Sequence, residues 1–285
     1  MASRFHKVDD ILAGNIGDRY DITFFISCYN EADFIAATLD TVRSALLGTG
    51  LTYDIVVIDD GSRDRSPEIV RQYIADHPDV DIVYRRNAIN KGWAQNYIDS
   101  TFIGKGRYHR AICGDNTEKE GTLRTLLGHL GEADIIVPYY VEVEHKLYTR
   151  RIVSATYTWL VNLLSGNKLH YYNGLPVHRR YNVMRWHSDT RGFGFQAYIL
   201  CLLLGQGATF KEVPLSATEQ RPGSSSALTW RNLLSVGHTL IEIFLRRLSN
   251  RVHGRVSGSL ARPADRPDGS VDDVKFPIGA KLDRS

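Results

Sequence analysis

Short β-rich runs alternate with segments of helical periodicity between residues 21 and 140, and this alternation limits the fold more than any other feature. From Ile35 to Leu46, apolar residues recur at spacings of four, three and four, the pattern of one helix face. Strands that alternate with helices in this way form βαβ units and a mostly parallel sheet. The sequence therefore predicts an α/β fold.

The predicted strands are rich in β-branched and aromatic residues and comprise Asp21–Cys28, Tyr53–Ile58, Asp81–Tyr84, Tyr108–Cys113, Asp134–Val137 and Ala208–Pro214. The predicted helices comprise Ala32–Leu47, Ser66–Ala75, Lys91–Ser100, Gly121–Leu130, Lys146–Ser165, Gly192–Leu204 and Trp230–Leu248. Open α/β sheets bind their ligands beyond the carboxyl ends of the strands. Functional residues are therefore sought directly after each strand.

Composition excludes several classes of protein. The 285 residues are 43% hydrophobic and 24% charged, which is typical of a globular chain with a sizeable core. A net charge of +3 is too small to argue for a nucleic-acid partner. We expect a cytoplasmic protein, because the N-terminus lacks the apolar run of a secretory signal and no apolar stretch approaches the roughly 20 residues of a membrane span. The three cysteines are widely spaced, and we expect them to be small buried hydrophobes.

Polar clusters follow three of the predicted strands, at Ser27–Glu31, Asp59–Ser62 and Gly114–Asn116. Taken singly, each cluster fits a local role as a helix cap or a turn. Taken together, carboxylates at three strand ends favour recognition of a ribose, or of a divalent cation that neutralises a phosphate.

These segments carry a family resemblance. The succession of FFISCYNEADFI, IVVIDDGSRDRS, NKGWAQN and AICGDNTEKE resembles the inverting family-two glycosyltransferases of the GT-A fold. The later segments YTRRIVSATYTWL, YYNGLPVHRR, GFGFQAYILCLLLGQGATFKEVPL and QRPGSSS are similar to the branch with dolichyl-phosphate mannosyltransferase and bacterial polyprenyl-phosphate glycosyltransferases. The resemblance implies a Rossmann-like, mostly parallel sheet with flanking helices, a helical C-terminal segment and a hexosyltransferase activity.

The resemblance also implies a donor site for a GDP- or UDP-hexose and a divalent cation, Mg²⁺ or Mn²⁺. The residues that it assigns to the donor are Ser27, Tyr29, Glu31, Asp59, Asp60, Lys91, Asp115 and Asn116. The implied catalytic residues are Asp115, acting through the cation, and Lys91, balancing the diphosphate charge. Asp115 and Thr117 occupy the metal motif D-x-D, in which the Thr117 hydroxyl is a weaker ligand than the family's second carboxylate.

For the acceptor, the resemblance implies a polyprenyl phosphate, dolichyl or undecaprenyl. Arg150 and Ser154 match an Arg-x-x-x-Ser segment that binds the acceptor phosphate, and Arg221 matches a later arginine with the same role. Arg179 and Arg180 belong to the segment that lines the acceptor side.

Two departures from the branch leave alternatives open. Tyr198 stands where the branch has a glutamate, and Ser226 stands where it has a lysine. One alternative is a glycosyltransferase that acts on a non-lipid acceptor, such as a saccharide or a small molecule. The other is a catalytically impaired protein that only binds a sugar nucleotide.

The predicted organisation is an N-terminal extension (1–20), a GT-A domain (21–249) and a disordered tail (250–285) rich in Arg, Asp, Pro, Gly and Ser. The domain divides into a nucleotide-sugar half (21–140) and an acceptor half (141–249). The helix Trp230–Leu248 has a broad apolar face and ends near Arg246, Arg247 and Arg251. This pattern is typical both of a helix packed on the core, which we favour, and of an interfacial helix that holds a protein peripherally on the cytoplasmic face of a membrane.

Overall fold

The computed structural model describes residues 18–142, 148–185, 194–216 and 230–252. The strands in these residues are β1 (Tyr20–Cys28), β2 (Tyr53–Asp59), β3 (Ile82–Arg86), β4 (Gly106–Cys113), β5 (Ile135–Glu142), β6 (Val177–Arg179) and β7 (Phe210–Ser216). The helices are α1 (Ile35–Leu46), α2 (Ser66–Asp76), α3 (Trp93–Ile103), α4 (Glu120–Leu127), α5 (Tyr148–Ser165), α6 (Arg180–Met184), α7 (Phe195–Gly205) and α8 (Trp230–Val252). Residues 1–17 of the predicted extension and 253–285 of the predicted tail lie outside the described residues.

The seven strands form one sheet in the order β3-β2-β1-β4-β6-β5-β7. All neighbouring pairs are parallel except those of β6, which runs antiparallel to both β4 and β5. Cys28 pairs with Asp59 and Ser27 pairs with Cys113, so β1, β2 and β4 end at the same level of the sheet. The predicted α/β fold with a mostly parallel sheet is confirmed.

Helices cover both faces of the sheet, as a parallel sheet requires. Successive residues of β1 point to opposite faces. Phe25 packs with Trp93 and Tyr97 of α3, at ring-centroid distances of 5.8 and 6.3 Å, while Phe24 and Ile26 belong to the cluster on the other face. The sheet therefore separates two apolar layers and leaves its carboxyl edge for polar loops.

Helices α1 and α3, which flank the polar loops, begin later than the sequence predicts. Helix α3 begins at Trp93 rather than at Lys91, because Gly92 has a left-handed φ of 85° that ends the preceding turn. Helix α1 begins at Ile35 rather than at Ala32, because Asn30 is left-handed (φ 57°) and the Ala32 N–H donates to the Asp64 carboxylate (2.9 Å), which holds this segment in a turn against the β2 loop. Both differences place residues of the polar motifs in loops.

Helix α8 has a packed face and an exposed face. Thr239 and Ile243 are buried, and Arg247 donates from Nη1 to the Leu163 carbonyl of α5 (2.6 Å), which joins the two helices. The opposite face carries apolar side chains that are about half exposed or more, namely Leu234, Ile241, Phe244, Leu245, Leu248 and Val252. Core packing therefore accounts for only one side of α8. Among the described helices, none is long and apolar enough to cross a membrane.

Close packing at the start of β4 gives a stability prediction. A Cβ at Gly106 would overlap backbone atoms of Ile22 and Thr23, which cannot move without breaking the β1–β4 pairing. We expect Gly106→Ala to lower the free energy of unfolding by about 1–3 kcal/mol, measured by urea denaturation. Gly121→Ala is the matched control, because open space surrounds that position in α4, and there alanine should leave stability unchanged or raise it slightly. Equal stability of the two variants would contradict this account of the packing.

Candidate active site

The three polar clusters come together at the carboxyl edge of the sheet. The Gly114 N–H donates to the Ser27 carbonyl (2.9 Å), and the Asp60 N–H donates to the Cys28 carbonyl (2.8 Å). These bonds extend the pairing of β1 with β4 and with β2 by one residue each. The loop after β1 therefore lies between the other two loops.

Side-chain hydrogen bonds fix the β1 loop to the β2 loop. Asn30 accepts from the Arg63 N–H through Oδ1 (2.8 Å), and its own N–H donates to Ser62 Oγ (2.9 Å). The Glu31 N–H donates to Ser66 Oγ (2.9 Å). Within this ordered turn, Tyr29 keeps 48% of its surface exposed. The turn thus presents an aromatic ring on a rigid backbone at the edge where ligands of such sheets bind.

The side chain of Asp59 is fully buried. Its carboxylate accepts from the Ser62 N–H (2.7 Å) and the Tyr84 hydroxyl (3.0 Å), and Arg86 Nε lies 3.4 Å away. Burial, followed by the charge of Asp59, raises the pKa of Tyr84 well above its usual value. The contacts of Asp59 with described residues therefore serve to shape the β2 loop.

Asp60 organises the loop that carries Lys91. Its Oδ1 accepts from Asn87 Nδ2 and from the Lys91 N–H (both 2.8 Å), and its Oδ2 accepts from the Gly92 N–H (2.9 Å). Burial opposes ionisation of Asp60, but hydrogen bonds from Lys91, Asn96, Asn87 and Gly92 outweigh it and hold the pKa below its ordinary value. The Asp60 carboxylate therefore satisfies donors of the loop before α3 and fixes the conformation of that loop.

The Lys91 side chain leaves this loop on the solvent side, with 44% of its surface exposed. Its Nζ lies 3.8 Å from Asp99 Oδ2, and the same oxygen accepts from Arg85 Nη2 at 2.6 Å. Because Arg85 is the closer partner of Asp99, the ammonium of Lys91 is only loosely held. A mobile cation at this edge suits an anionic ligand.

The loop after β4 contains the predicted metal motif. Asp115 is half-buried, and its Oδ1 accepts from the Thr117 hydroxyl (2.9 Å). Asn116 is left-handed (φ 53°) and its Oδ1 accepts from the Thr41 hydroxyl of α1 (2.9 Å). Glu118 forms an ion pair with Arg110. Among the described residues, Asp115 is thus the one carboxylate of this loop without an ion-pair partner.

Arg110 is a contributor to this loop that the sequence analysis missed. It lies on β4, is 1% exposed and pairs with Glu118, which fixes the residue that follows Thr117. Its position inside the run YHRAIC looks like any interior strand position, so no local pattern could indicate that its partner lies eight residues later.

The residues predicted for the acceptor side lie in different surroundings. Ser154 lies on α5 and lines a cavity beside β5. Arg150 lies in the first turn of α5, and its side chain is outside the described part of the structure. The whole of Arg221 lies outside the described residues. Arg179 and Arg180 turn into the interior, where Arg179 pairs with Asp134 (2.7 Å) and Arg180 with Asp18 (2.8 Å). The last two residues therefore stabilise the fold rather than line an open surface.

Cys28 and Cys201 are buried, as the sequence predicts, whereas Cys113 is only partly buried. Burial raises the pKa of Cys28 to about 11. Burial, and then the negative charges of Asp115, Glu118 and Glu31, raise the pKa of Cys113 to about 12. Neither thiol is therefore a nucleophile at neutral pH.

A mostly parallel sheet, covered by helices on both faces and ending in three joined polar loops, defines the class of α/β nucleotide-binding domains. The model of glycosyl transferase family 2 matches residues 23–196, more than half of the chain. The chain belongs to this family, which confirms the family predicted from the motifs.

Individual relatives share shorter stretches or only the fold. A dolichyl-phosphate β-glucosyltransferase of Trichomonas vaginalis is 34% identical over 77 residues, which make up 25% of this chain and 23% of that protein. Glucosyl-3-phosphoglycerate synthase of Mycobacterium tuberculosis, crystallised with Mn²⁺, UDP and glucosyl-3-phosphoglycerate, superposes with a TM-score of 0.57 at 16% identity, over 88% of this chain and 86% of that one. A mannosyltransferase of Pyrobaculum calidifontis with GDP-Man and Mn²⁺ gives a TM-score of 0.58 at 16% identity, over 88% and 73%.

The aligned stretches span between 21% and 38% of the curated relatives' lengths. The two superposed structures support the GT-A fold, and the Mn²⁺ that both contain agrees with the divalent cation expected for such a fold.

The contacts of Asp60 predict a pH-dependent loss of stability. In Asp60→Asn, one carboxylate oxygen becomes an amide that faces N–H donors, so we expect the free energy of unfolding to fall by about 1–3 kcal/mol at pH 7. Because folding lowers the pKa of Asp60, its stabilising effect is present above the ordinary pKa and is lost as the pH falls through the lower, folded-state pKa. The difference between variant and wild type should therefore shrink below about pH 4.

Urea denaturation between pH 3 and pH 7 measures this difference. Asp33→Asn is the control, because that side chain is exposed in the same region and should have little effect at any pH. A difference for Asp60→Asn that stays constant down to pH 3 would argue against the role of its charge.

Proposed function

We propose that this chain is an inverting glycosyltransferase that moves a hexose from a GDP- or UDP-hexose to a polyprenyl phosphate. The convergence of three hydrogen-bonded polar loops at one sheet edge, in a family 2 chain, is the observation that carries the proposal. The dolichyl-phosphate β-glucosyltransferase among its relatives supports the lipid acceptor, and the solved structures with UDP and GDP-Man support the donor.

The proposed donor site uses the residues of the three loops and of the Lys91 loop. The donor-binding residues are Ser27, Tyr29, Glu31, Asp59, Asp60, Lys91, Asp115 and Asn116. Tyr29 and Lys91 are exposed and Asp115 is half-buried, and these three side chains would touch the donor. Asp59 and Asp60, whose carboxylates accept bonds from the protein, would act mainly by holding the loops in place.

The donor set of the β4 loop fits a divalent cation, Mg²⁺ or Mn²⁺. Mg²⁺ is commonly held by one or two carboxylates together with phosphate oxygens of the substrate, and Asp115 provides one such carboxylate. Thr117, which already contacts Asp115, would add a hydroxyl. When bound, the cation stabilises the charge of the leaving diphosphate. Lys91 would balance the remaining charge, so Asp115 and Lys91 are the proposed catalytic residues.

The proposed acceptor needs positioning rather than deprotonation, because a phosphate is already anionic at neutral pH. Arg150, Ser154 and Arg221 would bind this phosphate. The domain would then consist of a nucleotide-sugar half (21–140) and an acceptor half (141–249), which meet at the sheet edge.

An exposed apolar surface on α5 and α8 supports peripheral contact with the cytoplasmic face of a membrane. On α5, Trp159 and Leu163 are 60% and 55% exposed, and the hydrogen bond from Arg247 to the Leu163 carbonyl holds α5 against α8. Arg251 is exposed at the end of the same helix. Apolar side chains flanked by arginines are the pattern of an interfacial helix on an anionic bilayer.

Transfer to a saccharide is a second candidate. It is favoured by the aromatic cavity beside α5, where the lining residues that the structure describes include no lysine, arginine or carboxylate.

Transfer from labelled UDP-glucose or GDP-mannose to a short polyprenyl phosphate tests the proposal. We expect a lipid-linked hexose from wild type and a fall in kcat of about 10²–10³-fold in Asp115→Asn, because the leaving diphosphate loses its charge stabilisation. Asp79→Asn, an exposed carboxylate elsewhere, should keep full activity. Donor binding without transfer to any acceptor would instead indicate an impaired sugar-nucleotide binder.

Liposome flotation tests the membrane surface. We expect wild type to float with vesicles containing anionic lipid, and Phe244→Glu/Leu248→Glu to lose this binding because two carboxylates would enter the interface. The control Leu47→Glu/Phe102→Glu changes two apolar side chains outside α5 and α8 that are even more exposed, and it should float like wild type. Equal flotation of all three proteins would remove the membrane role.

A further inference from the structure

The loop after β4 lacks the second carboxylate of the D-x-D motif, because Thr117 occupies that position. The next carboxylate along the chain is that of Glu118, three residues after Asp115. Burial, and then the charges of Asp115 and Glu118, raise the pKa of the Cys113 thiol to about 12, so both carboxylates lie close enough to act on one thiol. Glu118 therefore lies where it could supply the missing charge of the motif.

An ion pair with Arg110 engages Glu118 instead. Arg110 lies on β4 with 1% of its side chain exposed, and 13% of the Glu118 side chain is exposed. Among the residues that the structure describes, Nε and Nη1 of Arg110 have no hydrogen-bond partner, so the contact of Nη2 with Glu118 Oε1 is what compensates the buried guanidinium. Removing one partner of a buried ion pair is strongly unfavourable, because it leaves a charge without compensation. Glu118 is therefore held firmly by β4.

Helix α1 holds the same loop from a second side. The Thr38 hydroxyl donates to the Gly114 carbonyl (2.9 Å), and the Thr41 hydroxyl donates to Asn116 Oδ1 (2.9 Å). Because these two bonds flank Asp115, they fix the position of its backbone without engaging its carboxylate.

The number of carboxylates decides how a divalent cation binds to such a loop. Mg²⁺ requires nearly octahedral geometry and is usually held by one or two carboxylates together with phosphate oxygens and water. If Asp115 is the single carboxylate and Thr117 a neutral ligand, most of the charge that holds the cation must come from the nucleotide. The cation then binds weakly to the protein alone and tightly together with the diphosphate, and by linkage it strengthens nucleotide binding equally.

We propose that Arg110 is a positioning residue that withholds Glu118 from the cation, so that the cation binds tightly only together with the diphosphate of the donor. The inference rests on the proposed function, because it concerns the cation of the same donor site. In this arrangement the ion pair of Arg110, and not the composition of the motif alone, sets the affinity for the cation.

Titration of the full chain with Mn²⁺, in which EPR follows the free ion, measures this coupling with and without UDP or GDP. We expect wild type to bind Mn²⁺ weakly alone and more tightly with at least one nucleotide. In Arg110→Met, Glu118 loses its partner and becomes a second carboxylate for the cation, so the Kd of Mn²⁺ without nucleotide should fall about tenfold. A merely structural role of Arg110 would leave Mn²⁺ binding unchanged or weaken it.

Three further variants assign the effect to Glu118. Arg110→Met/Glu118→Gln removes the released carboxylate and should return the Kd of Mn²⁺ to the wild-type value. Glu118→Gln alone should leave this Kd unchanged, because the paired Glu118 is not a ligand. Arg124→Met is the matched control, since it releases Glu120 from an exposed ion pair (2.9 Å) within α4 and should bind Mn²⁺ like wild type.

If circular dichroism shows that Arg110→Met does not fold, Arg110→Gln keeps a neutral donor for Glu118 and should lower the Kd of Mn²⁺ in the same direction. An unchanged or weaker Mn²⁺ affinity in the folded Arg110 variant overturns the inference. A weaker affinity in Glu118→Gln overturns it too, as does an equal affinity of wild type with and without nucleotide. Because Mn²⁺ binding needs no turnover, tighter binding in Arg110→Met without sugar transfer by wild type would contradict the proposed function alone.

Discussion

The parallel pairing of β1 with both β2 and β4 is the constraint on which the candidate site depends. Since Cys28 pairs with Asp59 and Ser27 with Cys113, three polar loops leave the sheet at one level. Backbone bonds from Gly114 and Asp60 to the end of β1 extend this pairing into the loops themselves. A shift of one residue in either register would separate the loops and turn the interior side chains of a strand to the other face.

Buried carboxylates build the loops, and accessible groups are left for ligands. Asp59 accepts a hydrogen bond from its own loop, and Asp60 accepts hydrogen bonds from the 87–92 loop. The donors lie in loops, outside the helices and strands. Such preorganised polar groups hold a site in its working geometry without rearrangement during the reaction. The paired acids of the motif and the half-buried Asp115 therefore have different structural positions, although the sequence presents all three simply as acids after strands.

The strands and the three clusters could be predicted because their signals are local: apolar runs of strand length followed at once by polar residues. Strand β6 could not be predicted, since its three residues include the polar His178 and Arg179. The partner that neutralises Arg179 is Asp134, 45 positions earlier in the sequence. The cavity was missed for the same reason, because its rings come from β5, α5 and the segment after α5. Tyr198, unexplained as a substitution for glutamate, is buried and its hydroxyl accepts from Arg246 Nη2 of α8 (2.8 Å). Tyr198 thus forms a contact between α7 and α8, two helices that are far apart in the sequence.

The central claim is that the three loops form a cation-assisted nucleotide-sugar site. Thermal unfolding in the presence of nucleoside diphosphates, measured with and without Mn²⁺, tests this claim. A ligand at about 100 times its Kd stabilises the native state by about 2.7 kcal/mol, which corresponds to several degrees in Tm. The account predicts that UDP or GDP raises the Tm of the wild-type chain, that Mn²⁺ enlarges the shift, and that Asp115→Asn removes the enlargement. If neither nucleotide changes the Tm, with or without Mn²⁺, the claim is contradicted.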